Sequence, residues 1–447
     1  SIPPGSVRPD VKLSEMHYYS TSNRKLKIGL KDAVIKGLAA DRGLFMPSSF
    51  PVLTRESLEG LRNMELPRIA VILSRLLFGE DVPEAELKRI TEDAINFDTP
   101  LVQVEEGLFA LELFHGPTLA FKDVGARFLA RLLAYFTKDL DEDIHVLVAT
   151  SGDTGSAVAN GFLGVDGIRV HVLYPSGGVT PLQEKQFTTL GNNITALEIN
   201  GSFDDCQRLV KEAFMDEELS GRMKLTSANS INLARFLPQA FYYFRAWAQL
   251  EPGTEAFFSV PSGNYGNMTA GLVAREMGLP VHTFLSVNNL NDVVASYLLT
   301  GRYKPRPSTP TIANAMDVGD PSNFERILDI FDRNYDMIIK HMHGFSYTDN
   351  EIREIIGEVY TKTGYLCDPH GATACRAAQS YRKEHPGLSG IFLETAHPAK
   401  FRESVEEVTG ETLELPQRLA AFSKREKQAV NMQAEYPEFR SYLLACK

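Results

Sequence analysis

The sequence contains little cysteine and no long apolar run. Its four cysteines show neither the Cys-x-x-Cys spacing of a metal site nor the density of a disulfide-stabilised scaffold, so we expect reduced thiols and a cytoplasmic location. Apolar runs such as residues 146–149 and 257–260 fall far short of the roughly 20 residues that cross a bilayer. Both absences predict a protein without a membrane partner.

The signatures of several other functional classes are also missing. A formal net charge of -11 argues against general attraction to nucleic acid or to an anionic membrane. No Gly-x-Gly-x-x-Gly with a following acidic residue is present, which disfavours a nicotinamide dehydrogenase. His115, His370 and His397 are too scattered to predict a metal site and are typical of capping or core positions. We therefore expect small molecules as partners.

The length of the chain bounds the number of domains. With 447 residues the chain exceeds the roughly 250 to 300 residues at which a single core stops growing, so we expect two or three domains. Residues 1–15 lack the apolar core of a secretory signal, and the chain starts with Ser1. We expect these residues to be an expression remnant or a disordered lead, with the native start near Met16.

Alternating element types outline the fold after residue 140. Continuous apolar segments predict strands, and apolar residues at helical spacing predict helices, in the order that builds parallel sheets. The predicted strands span 144–149, 168–174, 194–199, 256–260, 281–286 and 389–394, and the predicted helices span 155–162, 203–214, 268–277, 349–363 and 371–382. The proline-rich segment 301–323 predicts a loop or a mobile crossing between elements.

The first hundred residues follow a less regular pattern, with predicted helices at 32–40, 56–63 and 81–95. The predicted fold class is α/β, with two parallel-sheet domains and a mostly helical N-terminal domain. We place the domains at residues 16–98, 99–240 and 241–447, the last with a C-terminal extension.

Two glycine-containing loops each lie between a predicted strand and a predicted helix. Residues 150–156 could hold a carboxylate or a phosphate, or could equally be a tight turn capped by Ser and Thr. Asp153 argues against a pure phosphate cradle there, because a carboxylate repels phosphate. Residues 261–267 contain glycines and asparagines that can adopt positive φ, so successive N–H groups can point inward around a phosphate.

Lys122 is the candidate nucleophile. A lysine between Phe121 and Asp123 is, by itself, typical of a solvated surface position. The preceding segment 111–120 is mostly apolar, however, so Lys122 can be partly desolvated. Burial would lower the pKa of its amine and make it a usable nucleophile.

Several motifs occur together along the chain. They are His-Gly-Pro-Thr at 115–118, Phe-Lys-Asp at 121–123, Ala-Thr-Ser-Gly-Asp-Thr-Gly at 149–155, Ser-Ala-Asn-Ser-Ile-Asn at 227–232, the 263–267 loop, Asp-Pro-His at 368–370 and Glu-Thr-Ala-His-Pro at 394–398. Their sequence and order resemble the threonine synthase family, as do two amino-terminal segments at 19–21 and 37–44. The resemblance runs from about residue 18 to residue 398.

The resemblance implies the fold of the tryptophan synthase β group, two α/β domains with pyridoxal 5'-phosphate between them. It implies that Lys122 carries this cofactor as a Schiff base and that Thr395 bonds the pyridine nitrogen, which makes the cofactor a milder electron sink than an aspartate would. The implied cradle of the cofactor phosphate consists of Gly263, Asn264, Tyr265, Gly266 and Asn267. Asp153 stands near the cofactor's phenolic oxygen, where relatives often have asparagine.

The resemblance further implies a lyase that converts O-phospho-L-homoserine and water into L-threonine and phosphate, the last step of threonine biosynthesis. The reaction is a γ-elimination of phosphate followed by addition of water at the β carbon. The implied and candidate substrate residues are Asn229, Ser230 and Arg235 for the phosphate, Ser151 and Thr154 for the carboxylate or the phosphate, and Lys185 as a weaker candidate. Without the resemblance, Arg235 is typical of an ordinary helical arginine.

Two alternatives remain beside this activity. One is a serine or threonine dehydratase-like lyase of the same fold, which would act on a free hydroxyl and need no second phosphate site. The other is a non-catalytic relative that binds a phosphorylated metabolite, against which the presence of Lys122 and Thr395 argues. We expect a monomer or a homodimer.

Overall fold

The computed structural model describes residues 16–446, and the predicted lead at residues 1–15 lies outside the described residues. The strands in this part of the chain are β1 (Tyr18–Ser20), β2 (Asn23–Ile28), β3 (Phe45–Pro47), β4 (Leu101–Glu105), β5 (Leu108–Glu112), β6 (Ile144–Ala149), β7 (Ile168–Pro175), β8 (Ile194–Asn200), β9 (Lys224–Ser227), β10 (Ala256–Pro261), β11 (Phe284–Asn288), β12 (Met342–Ser346), β13 (Ser389–Glu394) and β14 (Val430–Gln433).

The helices surround these strands. They are α1 (Leu30–Lys36), α2 (Arg55–Glu59), α3 (Leu66–Phe78), α4 (Glu84–Ala94), α5 (Lys122–Thr137), α6 (Asp153–Phe162), α7 (Pro181–Thr188), α8 (Phe203–Met215), α9 (Glu217–Ser220), α10 (Leu233–Phe236), α11 (Ala240–Gln249), α12 (Gly266–Glu276), α13 (Val293–Thr300), α14 (Phe324–Ile330), α15 (Tyr335–His341), α16 (Asp349–Thr363), α17 (Pro369–Glu384), α18 (Arg402–Thr409), α19 (Gln417–Ser423) and α20 (Tyr436–Ala445). No helix among the described residues combines the length and the apolar character needed to cross a membrane.

The first large sheet has five parallel strands in the order β14-β8-β7-β6-β9. All six residues of the interior strand β6 are buried, because helices cover both faces of the sheet. This explains why residues 144–149 are apolar apart from His145, a pattern typical of a parallel strand without a solvent face. The predicted strands at 144–149, 168–174 and 194–199 are confirmed.

The second large sheet has six strands in the order β12-β11-β10-β13-β5-β4, and only the β4–β5 pair is antiparallel. Its core contains the apolar faces of α16 and α17. The predicted helix at 349–363 and the predicted strand at 389–394 are confirmed at the same bounds. The predicted strand at 281–286 begins three residues later, at Phe284, in the structure.

The N-terminal segment contains four helices and also a three-stranded antiparallel sheet in the order β2-β1-β3. Neither this sheet nor α3 was predicted from the sequence, although most of the regular structure in this segment is helical, as expected. β1 and β3 have only three residues each, and β2 is largely exposed, so none of them shows an extended apolar alternation.

Sheet membership crosses the predicted boundary at residue 240. β4 and β5, near residue 105, lie in the sheet formed mainly by the second α/β segment, whereas β14, near residue 431, lies at the edge of the first sheet. Each of the ranges 99–240 and 241–447 therefore contributes strands to both sheets. The division into domains at residue 240 stays a prediction. The predicted loop at 301–323 contains one short 3-10 turn, Asn314–Met316.

Candidate active site

A cavity lies where the carboxyl ends of strands from both large sheets meet. Its walls come from the segments that follow β6, β9, β10 and β13, and from the start of α5. Of the predicted site residues, those that line it are Lys122, Ser151, Thr154, Asn229, Ser230, Arg235, Gly263, Asn264, Tyr265, Gly266, Asn267 and Thr395. Open α/β sheets bind ligands at such strand ends, so the topology explains why these distant residues converge.

Lys122 is the first residue of α5, and its accessible surface faces this cavity. The preceding turn is fixed from two sides: Phe121 donates its backbone N–H to the Thr395 carbonyl at 2.8 Å, and Asp123 accepts the Thr118 hydroxyl at 2.6 Å. Burial lowers the pKa of the Lys122 amine to about 8, although Asp153 opposes this shift. A useful fraction of the amine is therefore uncharged near neutral pH, as a nucleophile or a base requires.

Asp153 begins α6 but does not line the cavity directly. Its carboxylate lies 2.6 Å from the Nζ atom of Lys400, and both side chains are almost completely buried. Gln183 also donates to this carboxylate, at 3.2 Å. Burial alone would raise the pKa of Asp153, but Lys400 and Lys122 outweigh that effect and the pKa lies below its usual value. Asp153 is therefore an ionised carboxylate within a buried ion pair.

The 263–267 loop begins with Gly263, whose backbone packs so closely against Ala315 that no side chain fits there. A Cβ atom on Gly263 would lie 2.1 Å from the Ala315 carbonyl oxygen. Tyr265 has a left-handed conformation with φ of 64° and forms the N-cap of α12. Asn267 ties the loop together by donating to the Pro261 carbonyl at 2.9 Å. The loop thus directs backbone N–H groups at the start of a long helix, where an anion is favoured.

Thr395 follows β13 and lies on the wall of the cavity. Behind it, Glu394 is buried and accepts the backbone N–H of Asp368 at 2.5 Å. Burial, and then the Asp368 charge, raise the pKa of Glu394 well above its usual range, which favours the protonated carboxyl. His370 accepts the Ala315 N–H at Nε2 and contacts Asp368 at Nδ1, which places its proton on Nδ1.

Arg235 also lines the cavity, and its side chain is almost completely buried, with 1% exposed. Within residues 16–446 its Nε and Nη2 atoms have no hydrogen-bond partner. Buried donors of this kind are rare in folded proteins, and a guanidinium with free donors matches the geometry of a phosphate. Burial also lowers the pKa of Arg235 to about 10, which leaves it charged at neutral pH.

Two residues beside Arg235 have contrasting surroundings. Asn229 exchanges two hydrogen bonds with the backbone of Ala149, at 2.9 and 2.6 Å, and thereby ties its segment to the end of β6. Ser230 accepts hydrogen bonds at its hydroxyl from Asn264 and Asn323, at 3.3 and 2.8 Å. The hydroxyl proton of Ser230 is therefore available for an anion in the cavity.

Lys185 lies elsewhere among the predicted site residues. It does not line the cavity, and its ammonium donates to the Ser423 carbonyl at 2.7 Å. His397 accepts the Ala399 N–H as the cap of a 3-10 turn, which is the capping role that its sequence context predicted. His370, for which a capping or core position was also expected, is buried but lines the cavity.

Two buried cations near the cavity were not predicted from the sequence. One is Lys400, the partner of Asp153. The other is Arg326, which donates to the carbonyls of Phe45, Ser230 and Ile231 at 2.9, 2.8 and 2.6 Å. In each of these contacts the two residues lie far apart along the chain, so no local sequence pattern indicates Lys400 or Arg326.

The chemical groups that line the cavity fit a pyridoxal phosphate cofactor. Lys122 supplies an amine with a lowered pKa, Gly263 leaves room for a close backbone approach, and α12 presents N–H groups to an anion. Thr395 adds a hydroxyl group to the wall of the same cavity. Fold and site together define the class as pyridoxal-phosphate-dependent enzymes, and residues 94–391 match the family model described as "Pyridoxal-phosphate dependent enzyme".

The particular family follows from the ends of the chain and from its relatives. Residues 17–95 match the model "Threonine synthase N terminus", and residues 371–443 match "Threonine synthase, C-terminal". A threonine synthase of Haemophilus influenzae is 44% identical over 435 residues, covering 96% of this chain and 100% of the relative.

Solved structures agree with this result. The crystal structure of threonine synthase from Escherichia coli has a TM-score of 0.91 and 41% identity, covering 96% of this chain and 100% of that one. The structure of PLP-bound threonine synthase from Brucella melitensis has a TM-score of 0.87 and 35% identity, covering 96% and 99% of the two chains. This chain belongs to the threonine synthase family. It is a pyridoxal-phosphate-dependent lyase of threonine biosynthesis.

Proposed function

We propose that the substrate of this chain is O-phospho-L-homoserine, converted with water into L-threonine and phosphate. The observation that carries the proposal is the pair of separate anion-binding groups in one cavity, the 263–267 loop and the open guanidinium of Arg235. One group suits the cofactor phosphate and leaves the other for a substrate phosphate. A dehydratase acting on a free hydroxyl would leave the buried donors of Arg235 without a partner.

The proposal assigns the cofactor to one side of the cavity. Lys122 would hold it covalently through its amine, and the Thr395 hydroxyl would bond its ring nitrogen. The cofactor phosphate lies in the cradle of Gly263, Asn264, Tyr265, Gly266 and Asn267. When bound, pyridoxal phosphate supplies an electron sink that stabilises carbanions next to the substrate amine.

The substrate is assigned to the other side. Arg235 and Ser230 bind its phosphate, and Asn229 holds their segment against the end of β6. The substrate carboxylate lies near Ser151 and Thr154, at the N-terminus of α6, where unpaired N–H groups favour an anion. Lys185 has no role in this arrangement, because its amine is bound to a backbone carbonyl.

Lys122 moves the protons in this proposal. With substrate bound, its free amine takes the proton from the substrate Cα, moves a proton from Cβ to Cγ as phosphate leaves, and returns the proton to Cα after water has added at Cβ. A lowered pKa suits both directions of transfer near neutral pH. Arg235 stabilises the phosphate as it leaves Cγ, because its donors are already oriented and need no rearrangement.

The test combines spectroscopy with product analysis. Purified protein supplied with pyridoxal phosphate is expected to absorb in the visible, and added O-phospho-L-homoserine is expected to yield phosphate and threonine in equal amounts. Lys122→Ala should lose both the absorbance and the products. Formation of a 2-oxo acid from L-serine or L-threonine, without any turnover of O-phospho-L-homoserine, would favour the dehydratase instead. The proposal includes a cytoplasmic location and either a monomer or a homodimer.

A further inference from the structure

Asp153 and Lys400 form a buried ion pair, and both of its charges act on Lys122. Lys400 lies in the 3-10 turn that follows Thr395, and its Nζ atom contacts the Asp153 carboxylate at 2.6 Å and the Thr118 carbonyl at 3.0 Å. Thr118 belongs to the turn that leads into Lys122. One ammonium therefore joins the start of α6 to the turn that presents the reactive lysine.

Three charged groups on other elements face Lys122: Asp153 on α6, Arg235 on α10 and Lys400 on the 3-10 turn. Asp153 is the only anion of the three. A buried carboxylate without a counter-ion is strongly unfavourable, so Asp153 needs a cation. Lys122 and Lys400 are the two lysines that act on its charge, and Lys400 alone is hydrogen-bonded to it.

We propose that Lys400 is a positioning residue that neutralises Asp153 and so prevents Asp153 from capturing Lys122 as a permanent ion pair. The proposal rests on the proposed role of Lys122 as the cofactor-bearing lysine. It also explains how a carboxylate can be buried so close to Lys122, since the pair as a whole carries no net charge. Lys400 acts through Asp153 and does not touch the reacting atoms.

Charge balance gives the two single substitutions opposite effects on Lys122. Lys400→Gln leaves a net negative charge behind Lys122, which stabilises its ammonium form and raises its pKa. Asp153→Asn leaves a net positive charge, which lowers that pKa. The double substitution Asp153→Asn with Lys400→Gln is neutral like the native pair, so it should return the pKa of Lys122 towards its native value. A nearby charge typically shifts a pKa by about one to three units.

Competitive acetylation measures this pKa without using turnover. The full-length protein, freed of cofactor, is treated with trace acetic anhydride between about pH 6 and pH 11, where free lysines lose their proton. Mass spectrometry of the peptide containing Lys122 then gives the midpoint of its reactivity. We expect an alkaline shift for Lys400→Gln, an acid shift for Asp153→Asn and a midpoint near the native one for the double variant. Shifts of the same sign in both single variants would overturn the proposal.

Two controls separate charge from packing. Lys427→Gln removes a different ion-paired lysine, bound to Glu184 and Glu198, and should leave the Lys122 midpoint unchanged. If Lys400 serves only to brace Thr118, the double variant will be no closer to native than Lys400→Gln, and that outcome also overturns the proposal. Should Lys400→Gln fail to fold, the acid shift of Asp153→Asn still decides the matter, and its absence rejects the proposal.

Failure of the proposed function is distinguishable from failure of this inference. If Lys122→Ala keeps the visible absorbance of a bound cofactor, the role of Lys122 is wrong whatever the acetylation midpoints are. If Lys122 carries the cofactor but its midpoint does not respond to Asp153 or Lys400, only the inference is wrong.

Discussion

Two buried cations, Arg235 in the wall of the site and Lys400 near it, differ in the partners of their donor groups. Lys400 has a carboxylate and a carbonyl within hydrogen-bond distance, so its charge is used within the protein. Arg235 keeps two buried N–H groups without a partner among the described residues. A fold that leaves such donors unsatisfied incurs a free-energy cost that a bound ligand can offset. This contrast is consistent with Lys400 as a positioning residue and Arg235 as a residue that binds the substrate phosphate.

Arg235→Lys tests this distinction. Lysine keeps the positive charge but loses the planar set of donors that matches a phosphate. Charged hydrogen bonds contribute about 1.5 to 3 kcal/mol, so we expect kcat/KM for O-phospho-L-homoserine to fall about 10- to 100-fold. Steady-state kinetics measure this loss, and the visible absorbance of the bound cofactor should stay unchanged. A parallel loss of cofactor binding would contradict the assignment of Arg235 to the substrate.

At the scale of residues, the sequence could indicate Lys122 and the 263–267 loop only because several motifs occurred together. The setting of Lys122 favoured a surface position, and its burial became visible only in the structure. Lys400 lies between Ala399 and Phe401, a local sequence that does not indicate a functional lysine. Its partner, Asp153, is almost 250 positions away. Side chains that act through a distant charge cannot be found from local patterns.

At the scale of elements, the loop between β10 and α12 requires a glycine at position 263, because there is no room for a side chain. The Gly263 backbone packs against the Ala315 carbonyl, and Ala315 is in turn held by the His370 imidazole. The loop geometry is thus supported by a second segment, the 3-10 turn at Asn314–Met316. A methyl group at position 263 has no flexible neighbour to displace, because the contact is with backbone.

Gly263→Ala should therefore weaken cofactor binding. The added Cβ would lie 2.1 Å from a carbonyl oxygen, so the loop or the turn must move, and we expect the Kd of pyridoxal phosphate to rise at least about tenfold, or about 1.4 kcal/mol. Equilibrium titration of the cofactor by absorbance measures the change. Gly387→Ala is the matched control, because no heavy atom lies within 4 Å of a Cβ there. Equal affinities in the two variants would contradict the predicted cradle.

Elements with continuous burial were predictable, whereas elements defined by their partners were not. β6 is buried along its whole length and β13 nearly so, and each contains an apolar run, at residues 146–149 and 391–393. β14 has one buried residue in four and is a strand only because it pairs with β8. Its sequence carries no such run, so its pairing depends on tertiary contacts alone.

At the scale of the whole molecule, a pair of histidines joins the C-terminal helix to the first sheet. His145 and His171 lie on neighbouring strands with their ring nitrogens 3.0 Å apart, and His171 contacts the Tyr442 hydroxyl of α20 at 2.8 Å. Burial lowers the pKa of both rings, that of His171 to about 3, and the charge of Arg169 acts in the same direction. The pair is neutral in the folded protein at neutral pH.

Acid should therefore destabilise the fold through this pair. Because the folded pKa lies below the unfolded value of about 6.5, the contribution is fully present above pH 6.5 and is lost as the pH falls towards the folded pKa. One such histidine changes the free energy of unfolding by about 1.4 kcal/mol per pH unit in that window. Denaturant unfolding between pH 5 and pH 8 measures the slope, and His171→Gln should make it shallower.

Tyr442→Phe provides the control for this prediction. It removes the hydrogen bond to His171 but leaves both imidazoles, so we expect a loss of about 1 kcal/mol at every pH and an unchanged slope. An unchanged slope in His171→Gln as well would show that other groups cause the acid sensitivity.

The exchange of strands between the two sheets has a consequence for synthesis on the ribosome. β5 emerges early but must wait for β13, and β8 keeps one bare edge until β14, which lies far later in the sequence, has been translated. Nascent chains thus expose unpaired strand edges during synthesis, and such edges are sites of wrong association between polypeptides. A premature stop before residue 430 would leave the β8 edge permanently open, so such truncated chains should aggregate rather than be merely inactive.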